Sequence, residues 1–166
     1  MVQIFIAHSS KDEWLTKPVA DNLRLIGVEP YLAELVDPTP FPLPPKISSA
    51  IDTSAAMFVF WSSNVAERKG TRDIVNWEIS AAYHKRKPIY VFAEEGVDVP
   101  MMVSKITVYA TYNPDIQQTL NSMVNKVQQL ASAFKQAEDK AKAAFTFVAF
   151  LLGLLFVGAL LIGEGS

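Results

Sequence analysis

This sequence of 166 residues predicts an α/β fold: a doubly wound parallel sheet of five strands, order 2-1-3-4-5, with helices on both faces and one C-terminal transmembrane helix. Three observations predict it. Apolar β-type runs alternate with stretches of helical periodicity, which lays successive strands side by side in a parallel sheet. The third of these runs, Ala55-Ala-Met-Phe-Val-Phe-Trp61, is apolar throughout, as a strand covered on both faces must be. The stretch Ala143 to Gly163 carries no charge and at the helical rise is long enough to cross a hydrocarbon core of about 30 Å.

The elements follow in order. Val2 to Ala7 reads as a buried strand ending at His8-Ser9-Ser10. Ser10-Lys-Asp-Glu13 fits a capping box, and Trp14, Leu15, Val19, Leu23 and Ile26 continue at helical spacing. Pro18 is expected to kink or restart that helix and Gly27 to end it. Val28 to Ala33 is a second strand, placed at an edge by Pro30. Asp37 to Pro45 holds five of the ten prolines, so it reads as a stiff projecting loop. A short helix from Lys46 to Thr53 precedes the central strand, and a polar loop is expected from Ser62 to Arg72. Asp73 to Lys85 is helical, with Ile74, Trp77 and Ala81 on one face. Pro88 to Phe92 and Ile106 to Tyr109 supply the last two strands. Asn113-Pro114 then caps a long helix in which Ile116, Leu120, Met123, Val127, Leu130 and Phe134 recur at i, i+4, i+7, pointing directly into the apolar stretch.

This reading divides the chain into a domain over 1–134, a basic juxtamembrane linker over 135–142, a transmembrane helix over 143–163 and a short tail over 164–166. Lys135, Lys140 and Lys142 precede the span and only Glu164 follows it, so the positive-inside bias leaves the domain in the cytoplasm, anchored at its C-terminal end by a single pass. Met1 to Ala7 lacks the charged region and the length of a signal peptide. Ala149/Gly153 and Ala159/Gly163 place small residues four apart, a weak signal for helix pairing. With no cysteine and two histidines, a disulfide, a thiolate metal site and a structural zinc are not expected. The net charge of −2 and the lack of a basic stripe argue against nucleic acid. Phosphate-binding glycine loops and a G-x-S-x-G elbow are absent.

In this strand order, ligands bind outside the carboxyl ends of strands one and three, where the chain departs in opposite directions. His8-Ser9-Ser10 and Ser62-Ser63-Asn64 therefore face one crevice. His8 is a candidate to stack on or hydrogen-bond to a ligand, the alternative being a bond to nearby backbone. Ser9, Ser10, Ser62 and Ser63 are candidates to bind a phosphate or a ribose, although loop and capping serines are also expected without any ligand. Glu34, at the end of the second strand, is a further candidate. Phe41, held up by the proline-rich loop, is placed either to cover the site or to insert into a neighbour. Glu78 is the sharpest candidate, because a carboxylate among apolar neighbours can accept hydrogen bonds from sugar hydroxyls and stabilise positive charge on a ribose carbon. The competing reading is a solvated carboxylate favoured by the helix dipole.

At these residues the chain resembles the TIR (Toll/interleukin-1 receptor) domains of the prokaryotic type. The resemblance lies in Ile4-Phe-Ile-Ala-His-Ser-Ser-Lys-Asp12, in Tyr31-Leu-Ala-Glu34 before a BB-type loop, in Phe58-Val-Phe-Trp-Ser-Ser-Asn64, and in Val75-Asn-Trp-Glu-Ile79 followed by Lys87-Pro-Ile-Tyr-Val-Phe92. It implies a flavodoxin-like sheet, and cleavage of NAD+ at the nicotinamide–ribose bond by hydrolysis or cyclisation, with NAD+ as substrate and no cofactor. It also implies self-association through TIR domains, a possible effector or sensor protein as partner, and a setting in signal transduction, innate immunity or antiphage defence. The family's catalytic glutamate falls on Glu78. The tryptophan usual four residues earlier is Ile74 here, with Trp77 beside the glutamate instead, where the resemblance makes it a candidate to bind substrate. The BB loop, which in active members often completes a neighbour's site, is proline-rich and lacks the common glycine, with Phe41 its expected contact. The alternatives are a non-enzymatic adaptor acting by TIR–TIR association and a nucleotide-binding receiver, for which His8-Ser9-Ser10 replaces the paired acids expected after the first strand.

Overall fold

The computed structural model describes residues 1–33, 43–100, 106 and 108–163, the stretch 145–163 by its backbone alone. Five parallel strands form one sheet in the order β2-β1-β3-β4-β5, as expected: β1 Gln3–Ala7, β2 Glu29–Leu32, β3 Ala56–Trp61, β4 Ile89–Glu94 and β5 Val108–Tyr112. The helices are α1 Glu13–Leu25, α2 Pro45–Thr53, α3 Ser63–Ala66, α4 Lys69–His84 and α5 Gln117–Gly163.

Strand alternation builds the two cores. On one face Ile4 and Ile6 of β1 and Phe58 and Phe60 of β3 meet Leu15, Val19 and Leu23 of α1 and Met123 and Val127 of α5. On the other, Phe5 and Ala7 of β1 and Met57, Val59 and Trp61 of β3 meet Ile47 and Ile51 of α2 and Val75 and Ile79 of α4. All six β3 residues are buried, which is why their run shows no polar alternation. Phe92 stacks on Phe60 with ring centroids 5.3 Å apart and meets Phe58 edge-on at 5.5 Å, tying β3 to β4.

Several local expectations change. The capping box does not form. Ser9, not Ser10, accepts from the Lys11 N–H and opens a single 3-10 turn, Ser10–Asp12, while Glu13 pairs with Lys17. Helix α1 runs unbroken through Pro18, because Pro18 and Trp14, whose carbonyl loses its donor, both lie on the exposed side. The expected polar loop after β3 contains α3, capped by Ser62 accepting from the Val65 N–H, and α4 begins at Lys69 rather than Asp73. Strand β5 starts at Val108 rather than Ile106. At the head of α5 the Asn113 side chain accepts from the Asp115 N–H in an Asx turn, so the helix proper starts at Gln117 and leaves Ile116 half exposed.

Gly27 does end α1. Its φ is +77°, and the Val28 N–H bonds the Leu23 carbonyl while the Gly27 N–H bonds that of Arg24, the two bonds of a Schellman motif. A Cβ at Gly27 would meet the Lys135 side chain on α5 at 3.0 Å, but its contact, Cε, lies at the far end of a flexible chain. Gly27→Ala is therefore expected to cost about 1–2 kcal/mol, from left-handed strain alone. A urea-denaturation loss well above that range would mean the Lys135 contact is rigid.

Helix α5 continues without a break from Gln117 to Gly163, so 135–142 are helical and lead straight into 143–163. Among the described residues no helix is long and apolar enough to cross a membrane. The expected span lies, beyond its first residues, where only backbone is described.

Candidate active site

Glu78 occupies a core position. Helix α4 buries Ile74, Val75, Glu78, Ile79 and Ala82 as one stripe against the sheet, and Glu78 is 1% exposed. It lies nine residues past Lys69, about 13 Å along the axis. The dipole of the helix terminus acts within the first turn, so the reading of a solvated carboxylate favoured by that dipole does not describe this residue. Among the described residues no hydrogen bond or ion pair reaches the Glu78 carboxyl. Burial alone pushes its pKa up to about 8, which favours the protonated carboxyl at neutral pH.

Trp77 points elsewhere. One residue turns a helix by about 100°, and Trp77 lines a cleft of about 330 Å³ between α2 and α4, with Leu43, Ser48, His84 and Lys85 among its other walls. Ile74, in the place of the family's usual tryptophan, is buried one turn before Glu78 in the same stripe.

The carboxyl ends of β1 and β3 are joined by side chains. Asp12, 2% exposed, accepts from the Ser62 hydroxyl at 2.5 Å through one oxygen and from the Asn64 amide at 2.6 Å through the other. Glu94, at the end of β4, accepts from the Ser63 N–H at 2.8 Å and the Ser63 hydroxyl at 3.1 Å. Tyr112, buried at the end of β5, has its hydroxyl pKa raised by desolvation first and then by the charges of Asp12 and Glu94. The crevice expected from the strand order is thus spanned by a clamp from Asp12 to Ser62 and Asn64.

Of the other candidate residues, His8 is half-buried with Nδ1 3.2 Å from the Ile6 carbonyl. Ser9 is buried and capping, and Ser10 is exposed. The Ser62 and Ser63 hydroxyls are engaged by Asp12 and Glu94. Glu34 and Phe41 lie outside the described residues. Asp12, Glu94 and Tyr112 were not marked by the sequence. Asp12 reads there as the middle of a capping box, and its partners are some 50 residues away. Among the described residues no group of His, Cys, Asp and Glu is placed to hold a metal ion.

A family model described as a TIR domain matches residues 4–124, well over half of the chain. The chain belongs to the TIR domain family. Its fold is similar to the TIR domain of the Toll-related receptor TRR-2 from Hydra magnipapillata, with a TM-score of 0.50 at 16% identity over 75% of this chain and 97% of that one. It is also similar to the CMP N-glycosidase BcmB of Clostridium botulinum, with a TM-score of 0.51 at 17% identity over 73% of this chain and 97% of that one. At these identities the likeness is one of fold. A local sequence match of 41% over 46 residues links 28% of the chain to tRNA pseudouridine synthase B of Aliivibrio salmonicida (strain LFI1238), and spans only 14% of that protein.

Proposed function

We propose that this TIR domain cleaves NAD+ at the nicotinamide–ribose bond, with Glu78 as the catalytic carboxylate. The observation that carries the reading is a glutamate at the family's motif position, buried without a counter-charge in α4 and with its pKa raised to about 8. Structural carboxylates seldom sit so in a core unless paired. Nicotinamide bound to ribose carries a positive charge, and that charge passes to the ribose as the bond breaks. A carboxylate held in a low-dielectric site interacts strongly with both states, and its oxygens can accept from the ribose hydroxyls. Water attacking the ribose carbon gives ADP-ribose, whereas attack by a ring nitrogen of the substrate's own adenine gives a cyclic product. A fold neighbour named for cleaving an N-glycosidic bond is in keeping with this chemistry.

Because burial raises the Glu78 pKa to about 8 and the chemistry needs the anion, kcat/KM for NAD+ is expected to rise with pH through about 8. The test is nicotinamide release by the full chain in bilayers, at high surface density, beside Glu78→Ala. Release that disappears in the variant supports the mechanism, and equal release from both refutes it.

The second reading is a non-enzymatic adaptor acting by TIR–TIR association. It is favoured by the closure of Glu78 from solvent and by the Ser9, Ser62 and Ser63 hydroxyls being engaged within the protein. No release from either protein, even when crowded, selects it. In both readings we take 143–163 as a single-pass anchor that leaves the domain in the cytoplasm, confined where TIR–TIR contacts are favoured. Support comes from its uncharged apolar sequence, the three lysines before it and the unbroken helix that carries it. Such a protein fits signal transduction or antiphage defence, with a sensor or effector as partner.

A further inference from the structure

The parallel sheet gives the domain two chemically different ends. Helices α1, α4 and α5 all run back against the strands, so the C-terminal ends of α1 and α4 share the amino-terminal end of the sheet with Met1. Helix α5 leaves the domain at that same end. The amine of Met1 pairs with Glu138 at 3.2 Å, and Lys135 lies over Gly27. Ala143, the first residue of the apolar stretch, follows Glu138 by only five residues, about 8 Å of helix. That is about the depth of one headgroup layer.

The same end carries an unusual surface. Leu25 is 84% exposed, Met1 82% and Tyr83 67%, the three most exposed large apolar side chains among the described residues. They come from the chain start, the end of α1 and the end of α4, so no single helix periodicity accounts for them. Arg24, Lys85, Arg86, Lys87 and Lys135 stand among them. With Lys140 and Lys142 these outnumber the carboxylates of that end (Asp21, Glu29, Asp52, Glu138 and Asp139), although the whole chain is net −2. Arg24 pairs with Asp21, Lys85 with Asp52, Lys135 with Asp139 and Lys142 with Glu138. The opposite end, where β1, β3 and β4 finish, is mixed, with Glu67, Glu95 and Asp98 exposed beside Lys11, Arg68 and Lys69.

We propose that the amino-terminal end of the sheet, carrying Met1, Leu25 and Tyr83 among its basic residues, rests against a bilayer containing anionic lipids. The proposal depends on 143–163 being an anchor and goes beyond it, since a tether alone leaves the domain free to face any way. Apolar side chains ringed by Lys and Arg suit a headgroup layer, where the carbon enters the acyl boundary and the cations meet phosphate or carboxylate. The carboxyl ends of the strands, with the Asp12 clamp, then face away from the lipid.

The sequence has no cysteine, so single cysteines can carry a nitroxide without background labelling. Full chains bearing Leu25→Cys, Tyr83→Cys or Glu67→Cys are reconstituted in vesicles of phosphatidylcholine with or without phosphatidylserine, and flotation checks insertion. Collision with oxygen, which enters lipid, is compared with collision with a water-soluble nickel chelate. The expected result is a severalfold higher oxygen-to-nickel ratio at positions 25 and 83 than at 67, larger with phosphatidylserine and reduced by Arg86→Glu with Lys140→Glu. Vesicles that float with a chain equally open to nickel at all three positions overturn the proposal and leave the anchor standing. A chain that does not float overturns both. Protection of 25 and 83 in detergent without lipid overturns it in favour of a second copy.

Discussion

Glu78→Gln is expected to raise the melting temperature of the protein at pH 8 and to leave it nearly unchanged at pH 4.5. The folded state holds the Glu78 proton until about pH 8, while the unfolded chain releases it near 4.5. Below 4.5 both states carry the proton and burial imposes no ionisation penalty. Between 4.5 and 8 the unfolded state binds fewer protons than the folded one, so stability falls as pH rises. At pH 8 the lost stability is on the order of 4 kcal/mol, from 1.36 kcal/mol per unit of pKa. Glutamine keeps the shape and does not titrate, so it recovers that amount, or about 10 °C in Tm for a domain of this size. Paired thermal melts of the full chain in mild detergent at the two pH values check this. A Gln variant less stable than the parent at pH 8 would mean that the carboxylate is ionised and satisfied. If the same substitution also abolishes nicotinamide release, the fold gives up stability to keep this group.

Asp12→Ala carries the second large effect, a loss of about 3 kcal/mol. Both Asp12 oxygens accept short hydrogen bonds at a buried position, and truncation leaves the Asn64 amide without its acceptor and the Ser62 hydroxyl with only its capping bond. Each charge-assisted bond contributes about 1.5–3 kcal/mol, and buried groups left unsatisfied add to the cost. Asp12→Asn retains one acceptor and should lose about half as much. Urea-denaturation midpoints of the two variants, with Ser62→Ala in a double-mutant cycle, separate the clamp from simple loss of volume. Additivity between positions 12 and 62 would show that no clamp operates in solution.

The sheet was legible because its signals are local. The unbroken apolar run of β3, Pro30 at the edge and Gly27 after α1 each follow from their own neighbourhood, and the strand order followed from the alternation of elements. The phase of α4 was not legible. Apolar periodicity counts Trp77 as core and sets its stripe at 74, 77 and 81, whereas the structure turns Trp77 into the α2–α4 cleft and gives the core position to Glu78. A large aromatic and a carboxylate one residue apart mislead any reading that ranks side chains by hydropathy. Glu78 was found as a residue type at a motif position, but its burial was not. The Asp12 clamp escaped for another reason, since its partners sit about 50 residues away and no local pattern joins them.

The unbroken α5 makes the domain and the apolar stretch a single shaft. A flexible linker would let each domain swivel above the proposed anchor, whereas this helix would pass a twist between two neighbouring copies on to their domains. The helical screw fixes the gearing: each residue inserted between 139 and 143 turns the domain by about 100° and lifts it about 1.5 Å, and seven residues nearly restore the original heading. Registry along this shaft, and not merely the presence of an anchor, would set which faces of two neighbouring domains meet.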